Sequence, residues 1–367
     1  MSTIGVPTEI KINEHRIAML PSAAWQLTRR GVSVVVQREA GAGAGYLDAE
    51  YESAGCVMVD SAEAVFEAAD IIVKVKEPQP QEVAMLQPHH TLFTYLHLAA
   101  DKHLTEALLR SGCTAIAYET VTKNRRLPLL EPMSEIAGRM SVMMGAFYLA
   151  KHTGGRGVLL GGVPGVLPGK VLIIGGGTAG MNAAQVAGGI GADVTIMEVD
   201  VERMRFLDIT LHTAHTLYSN PGVLLETLPN VDLIVGAVLV PGAKAPKLIT
   251  RDMLKAMKPG TVLVDIAIDQ GGCAETSRPT THDAPTYVEE DVIHYCVANM
   301  PGAYARTATQ ALTNVTFPYI QSLAEMGVED ACRRLPELVI GINIQGGHLT
   351  NDAVAVAHGL AHRAVEF

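Results

Sequence analysis

The chain has 367 residues, 48% of them hydrophobic and 18% charged, with a formal net charge of −10 at pH 7. That length suggests two domains of ordinary size, and that apolar content excludes a disordered chain. The acidic balance argues against a nucleic-acid partner and favours small diffusing substrates.

The five cysteines (Cys56, Cys113, Cys273, Cys296, Cys332) are scattered and never form a C-x-x-C pair, the pattern of reduced thiols in a cytoplasmic protein. The stretch "MSTIGVPTEIKINEHR" lacks the basic-then-apolar order of a secretory signal. No segment offers the eighteen apolar residues of a spanning helix, so a soluble protein with no membrane partner is expected.

In chain order, Pro21-Ser22 opens a helix over 22–30, followed by strands "VSVVVQ" (32–37), "IIVKVK" (71–76) and "TLFTYLH" (91–97). Asp101 caps a helix over 102–111, and "TAIAYET" (114–120) is the next strand. The run "SEIAGRMSVMMGAFYLAKH" (134–152) reads as a long helix, with Met140, Met143 and Met144 as core filler. Strands follow at 170–176, 193–199, 233–239, 262–268 and 294–300, and a second long helix over 307–327. Near-continuous apolar strands between amphipathic helices indicate parallel sheets covered on both faces. The fold class is therefore α/β, with two doubly wound, Rossmann-like domains separated by a cleft and joined by the two long helices. The expected domains are 1–128 with 306–367, and 129–305. The C-terminal tail reads as helical, with no sheet of its own, packing back onto the first domain.

"KVLIIGGGTAGMNAAQVAGGIGADVTIMEVD" has the order strand, glycine turn, helix, strand, with Gly175, Gly177 and Gly180 as G-x-G-x-x-G. The first glycine permits the turn, the second lets backbone approach a pyrophosphate, and the third allows close helix–strand packing. A helix starting near Thr178 aims its N–H groups at the phosphates, and Glu198 ends the next strand where an adenosine ribose would lie. That carboxylate disfavours the extra phosphate of NADP, although the nearby Arg203 is a group that can tolerate it. The cluster "GGRGVLLGGVPG" (154–165) has no such context and reads as a surface connection.

In α/β proteins ligands bind beyond the carboxyl ends of strands, which directs attention to Lys76, His97, Asp269 and Asn299, with Arg16 near the first helix. Each has a plainer reading. Lys74 and Lys76 fit a solvated sheet edge as well as a site, His97 fits a satisfied core histidine, and Arg16 alone fits the surface. Asp265 and Asp269 lie four apart, on one face of a strand, and an unpaired carboxylate in so apolar a strand would be costly. Asp265 reads as internal support and Asp269 as functional. His358 and His362, and His212 and His215, lack a third ligand at metal spacing, so no metal is expected.

Together "GVPTEIKINEHRIAMLP", "KVKEPQPQE", "LFTYLHLAAD", "PLLEPMSEIAGRM", "VGAVLVPGAKAPKLIT", "VDIAIDQGGCAETSRPTTHD" and "YCVANMPGA" resemble the bacterial L-alanine dehydrogenase family over essentially the whole chain. The resemblance implies reversible, NAD-dependent oxidative deamination of L-alanine to pyruvate and ammonium, a split catalytic domain, an inserted NAD domain and a homohexamer. Carried over by motif, Arg16 and Lys76 would bind substrate and His97 and Asp269 would form the catalytic pair. Ser134, Gly175, Gly177, Thr178, Ala179, Gly180, Glu198, Arg203, Ser219, Val238, Leu239, Asn299 and Met300 would surround NAD. Glu198 stands where the family usually has aspartate. Two alternatives are a nucleotide-binding module like a transhydrogenase α subunit and a sister dehydrogenase acting on another amino acid.

Overall fold

The computed structural model describes residues 1–239 and 245–367, so residues 240–244 of the "VPGAKAPKL" motif lie outside the described residues. The chain folds into two α/β units, Met1–Met133 with Gly302–Phe367, and Ser134–Pro301.

In the first unit, strands β1 (Ile4–Val6), β2 (Val34–Gln37), β3 (Val57–Val59), β4 (Ile71–Val73), β5 (Thr91–Thr94) and β6 (Thr114–Ala117) lie parallel, in the order β3-β2-β1-β4-β5-β6. The winding reverses between β1 and β4. At such a switch point the loops after the two strands diverge and open a crevice at their carboxyl ends. The second unit repeats the plan with β7 (Lys170–Ile174), β8 (Asp193–Glu198), β9 (Ala214–Tyr218), β10 (Leu233–Gly236), β11 (Val262–Asp265), β12 (Thr286–Glu289) and β13 (Val292–Tyr295). Their order is β12-β13-β11-β10-β7-β8-β9, with β12 antiparallel at the edge. Here the switch point falls between β7 and β10. Alternation along the strands feeds two cores: Val171, Ile173 and Val235 go to one face, and Leu172, Ile174 and Ile234 to the other.

The tail differs from expectation. It adds β14 (Ile342–Gln345) and β15 (His348–Leu349), and β14 pairs antiparallel with β6 to extend the first sheet. Gly346 and Gly347, at φ 56° and 77°, make the two-residue turn whose double positive φ suits a tight hairpin. The helix Ala305–Arg334 also runs further than expected, across a kink at Gly327, where φ is 79° and ψ 174°.

Expected strands overshot their carboxyl ends for one physical reason. The ladders stop at Val73, Thr94, Ala117 and Asp265, and the chain continues as buried turns rather than strand. Val75, Leu96, Tyr118 and Ile268 are all buried within those turns, so the apolar pattern outlasts the hydrogen-bonded strand. Asp269 accordingly lies in the 3₁₀ turn Ile266–Gln270, not on a strand face shared with Asp265. Asp265 does serve as internal support: its carboxylate accepts from Ala267 N at 3.1 Å, Cys273 N at 2.8 Å and Ser277 Oγ at 2.5 Å.

The solvated-edge reading of Lys74 and Lys76 is also overturned, because β4 lies inside the sheet between β1 and β5. Lys74 is fully buried and its ammonium sits 3.0 Å from Glu9 and 2.7 Å from Glu82. Burial pulls its pKa down, but the two carboxylates outweigh that and raise it. Removing the only ammonium of this triad would leave two buried carboxylates uncompensated. Lys74→Met is therefore expected to cost about 3–5 kcal/mol in denaturant unfolding. Burial already raises the Glu9 carboxyl, so the deficit grows as pH rises through the folded-state titration of Glu9 and shrinks in acid. Unchanged unfolding would contradict the triad's role.

Candidate active site

Every residue singled out from the first unit follows the carboxyl end of a strand at or beside the switch point. The Glu9 carboxylate, beyond β1, accepts from Val75 N at 2.6 Å and Lys76 N at 3.3 Å, besides Lys74 Nζ. It thereby fixes the course of the segment leaving β4 and places Lys76, which is 7% exposed. Arg16, 2% exposed, is held by Glu14, which takes Nε at 2.7 Å and Nη2 at 2.5 Å. Nη1 lies 3.0 Å from Met133 Sδ. Glu14 thus occupies the side-on edge of the guanidinium fork, and a substrate carboxylate would meet Arg16 from its Nη1 side. Burial pulls the Arg16 pKa down, but Glu14 more than offsets it, so the group stays cationic.

Glu77 pairs with Lys11 and lies within electrostatic reach of Lys76 and His97. Burial pushes its carboxyl up, yet Lys76 and Lys11 pull harder, so it sits below the usual range and stays charged at neutral pH. His97 is half-buried in the left-handed conformation, at φ 50° and ψ 36°. Its ring stacks on Tyr95 with centroids 5.9 Å apart and planes 9° apart. Tyr95 donates to Leu129 O at 2.6 Å and interacts electrostatically with Arg16, which links Arg16 to His97. The structure therefore brings Arg16, Lys76 and His97 into one cluster, in which the arginine and the lysine are the cations. Such a cluster can bind a small carboxylate, polarise an adjacent carbonyl and move a proton.

In the second unit, Gly175 follows β7 at φ 101°, and a methyl added there would lie 2.6 Å from Ala237 O. At Gly180 an added methyl would lie 1.9 Å from Gly175 O, the close approach that admits only glycine. At Gly177 it would meet nothing within 4 Å, so this backbone faces open space. Thr178 and Ala179 form the first turn of the helix Thr178–Gly189, whose N-cap makes no side-chain hydrogen bond. The turn is braced from both sides. Glu198 accepts from Gly176 N at 2.8 Å, and also from Val199 N and Asp200 N. Arg203 Nε donates to Gly176 O at 2.6 Å and Nη2 reaches Gly177 O at 3.4 Å.

Ser134 lies four residues before Gly138 on the helix Glu131–Tyr148, hence on the same face. A methyl at Gly138 would lie 2.1 Å from Ala179 O, so that face is pressed against the start of the glycine-turn helix. Ser219, Val238 and Leu239 follow β9 and β10, and Ser219 N donates to Glu198 O at 2.9 Å. Asn299, at φ 69°, and the buried Met300 follow β13. Asp269 is exposed after β11 and its carboxylate forms no hydrogen bond among the described residues. These residues line the carboxyl ends of β7 to β13, where a dinucleotide is held in this topology.

Sequence reasoning did not single out Glu9, Glu14, Tyr95, Glu119 or Gly138. The acids carry no periodic signal: Glu9 and Glu119 work on partners distant in sequence, and Glu14 on Arg16 two residues on. The one available hint was the density of charge in "TEIKINEHR", directly before an apolar run. The histidine pairs have other duties: His358 Nε2 donates to Leu98 O at 2.7 Å, and His362 lies 3.6 Å from Asp352. Among the described residues, no helix is long and apolar enough to cross a membrane.

Known proteins resemble this chain in sequence and fold. The family description "Alanine dehydrogenase/PNT, N-terminal domain" matches residues 5–137, and "Alanine dehydrogenase/PNT, C-terminal domain" matches residues 141–352. The alanine dehydrogenase of Halomonas elongata is 54% identical over 361 residues, covering 98% of this chain and 97% of that protein. A solved L-alanine dehydrogenase superposes with a TM-score of 0.93 at 49% identity, covering 97% of this chain and 99% of the other. A transhydrogenase from Sinorhizobium meliloti shares the fold, with a TM-score of 0.82 at 23% identity over 95% of this chain and 100% of that one. The chain belongs to the alanine dehydrogenase/PNT family.

Proposed function

We propose that this chain catalyses the reversible oxidative deamination of L-alanine to pyruvate and ammonium, with NAD as the hydride acceptor. It is an amino-acid dehydrogenase of the alanine dehydrogenase type. The observation that carries the reading is the cluster of Arg16, Lys76 and His97, in a chain about half identical to alanine dehydrogenases along nearly its full length.

The glycine turn fits the cofactor. Gly177 leaves its approach open, and the helix behind it directs N–H groups toward the same space. Bound there, the nicotinamide would accept the hydride released from Cα. Glu198 places a carboxylate where a 2′-phosphate would be repelled, and Arg203 commits Nε to Gly176 O, which together favour NAD over NADP. Ser134, Ser219, Val238, Leu239, Asn299 and Met300 would complete the cofactor's surroundings.

On the substrate, Arg16 binds the carboxylate and Lys76 engages the carbonyl oxygen of pyruvate, or the hydroxyl oxygen of the carbinolamine from which pyruvate forms. His97 accepts the proton that makes the amine neutral, and later returns one to the departing ammonia. Asp269 orients the water that adds to the imine carbon and stabilises the imine's positive charge. The discontinuous unit carries Arg16, Lys76 and His97, and the continuous unit holds the nucleotide and carries Asp269. The five free thiols, four of them buried, suit a reducing cytoplasm. For the homohexamer we point to the exposed apolar side chains of Leu159, Val163, Val166 and Leu167, the last 87% exposed, as a surface suited to contact with another copy.

Three experiments test the assignment. NADH formation over a panel of amino acids, with NAD and NADP side by side, should give its strongest signal with L-alanine and NAD. NADH binding without turnover of any amino acid would instead support a nucleotide-binding module. Asp269→Asn should lose at least about 100-fold in kcat while NADH affinity stays near the parent's. Normal turnover in that variant would remove Asp269 from the mechanism. Gly177→Ala, which meets no protein atom, should keep the parent's unfolding temperature but bind NADH at least about tenfold more weakly. Unaltered NADH affinity there would place the pyrophosphate elsewhere.

A further inference from the structure

We propose that Glu119 is a positioning residue, locking His97 into the left-handed backbone conformation that sets the direction of its imidazole. The inference rests on the reading of His97 as the proton-transfer group.

A left-handed backbone at a non-glycine residue persists only where its surroundings over-determine it. His97 is such a residue, at φ 50° and ψ 36°. The sheet does not hold it, because β5 ends at Thr94. A carboxylate holds its N–H side, and the His97 carbonyl accepts from Ala100 N at 3.0 Å on the other. Glu119 accepts from His97 N at 2.6 Å, and both of its oxygens lie 3.2 Å from Leu96 N. Two successive N–H groups converging on one anion make a nest, a geometry that itself requires the chain to turn. Leu96 is fully buried, so without the carboxylate its N–H would have no water to replace it.

Glu119 is in turn well anchored. It sits in the 3₁₀ turn Tyr118–Thr120, directly after β6. Asn343 of β14, 1% exposed, donates to Thr120 Oγ1 at 2.7 Å and to Gly341 O at 2.9 Å. The tail therefore does more than extend the sheet: it braces the turn that carries the carboxylate. The tail also reaches the far side of the histidine, through the bond from His358 to Leu98 O. The Tyr95 ring limits the imidazole on one face, while Glu119 alone engages the peptide on which φ depends.

The test compares full-length Glu119→Ala, Glu119→Gln and His97→Ala, measuring kcat, KM for L-alanine, NADH affinity and unfolding temperature. Glu119→Ala should lower kcat about 100-fold, with KM and NADH affinity within about threefold of the parent, since a misdirected imidazole affects the chemical step. Glu119→Gln keeps one carbonyl acceptor and should recover part of the loss, to about tenfold below the parent. Parental kcat in Glu119→Ala beside an inactive His97→Ala would overturn the proposal. So would a joint loss of kcat, NADH affinity and unfolding temperature in both Glu119 variants, which would mark a general folding role. Parental turnover in His97→Ala would instead overturn the catalytic reading beneath it.

Discussion

A single buried carboxylate governs the first unit's site. Glu9 lies past the end of β1, and the three groups it accepts from, Lys74 Nζ, Val75 N and Lys76 N, all belong to the segment leaving β4. Those two strands flank the switch point, so Glu9 ties together the loops that would otherwise part there. Burying the acid is costly unless it is paired and bonded, and Lys74, shared with Glu82, meets that condition. The result is a fixed backbone under Lys76 and a standing concentration of charge around Arg16, Glu77 and His97. A carboxylate substrate meets this charge already organised, without rearrangement of the protein to create it.

The same logic recurs down both sheets. The candidate site residues sit on the segments that follow strands, and each segment is held by a charged side chain, near in sequence for Arg16 and distant for His97 and the glycine turn. Glu14 holds Arg16, Glu119 holds His97, Glu198 and Arg203 brace the glycine turn, and Asp265 secures the turn bearing Asp269. The strands supply rigidity and the acids supply direction. Acids outnumber bases in the chain, yet the substrate cluster is cationic, because several carboxylates are directed at backbone N–H groups or paired with buried cations.

Much of this was legible beforehand. The doubly wound class, the glycine turn with its helix and acid, and the long helices followed from period and turn chemistry, which are local signals. Strand ends did not, because buried turns such as 95–97 and 266–268 stay apolar after the ladder stops. The tail hairpin was missed although "INIQGGHL" carries both alternation and a Gly-Gly turn; a helical reading of its surroundings masked it. Lys74 was misjudged because a lysine in a strand resembles an edge guard, and only the strand order shows it to be interior. Glu9 and Glu119 were beyond reach, since what defines them is a partner that folding brings near.

The most direct test of the central claim is to follow the hydrogen on Cα. L-[2-²H]alanine should be incubated with the protein and NAD, and the reduced cofactor examined by NMR. The account predicts stoichiometric deuterium at C4 of the nicotinamide, with pyruvate formed in equal amount. Bound cofactor that stays oxidised, or reduced cofactor carrying no deuterium, would contradict it.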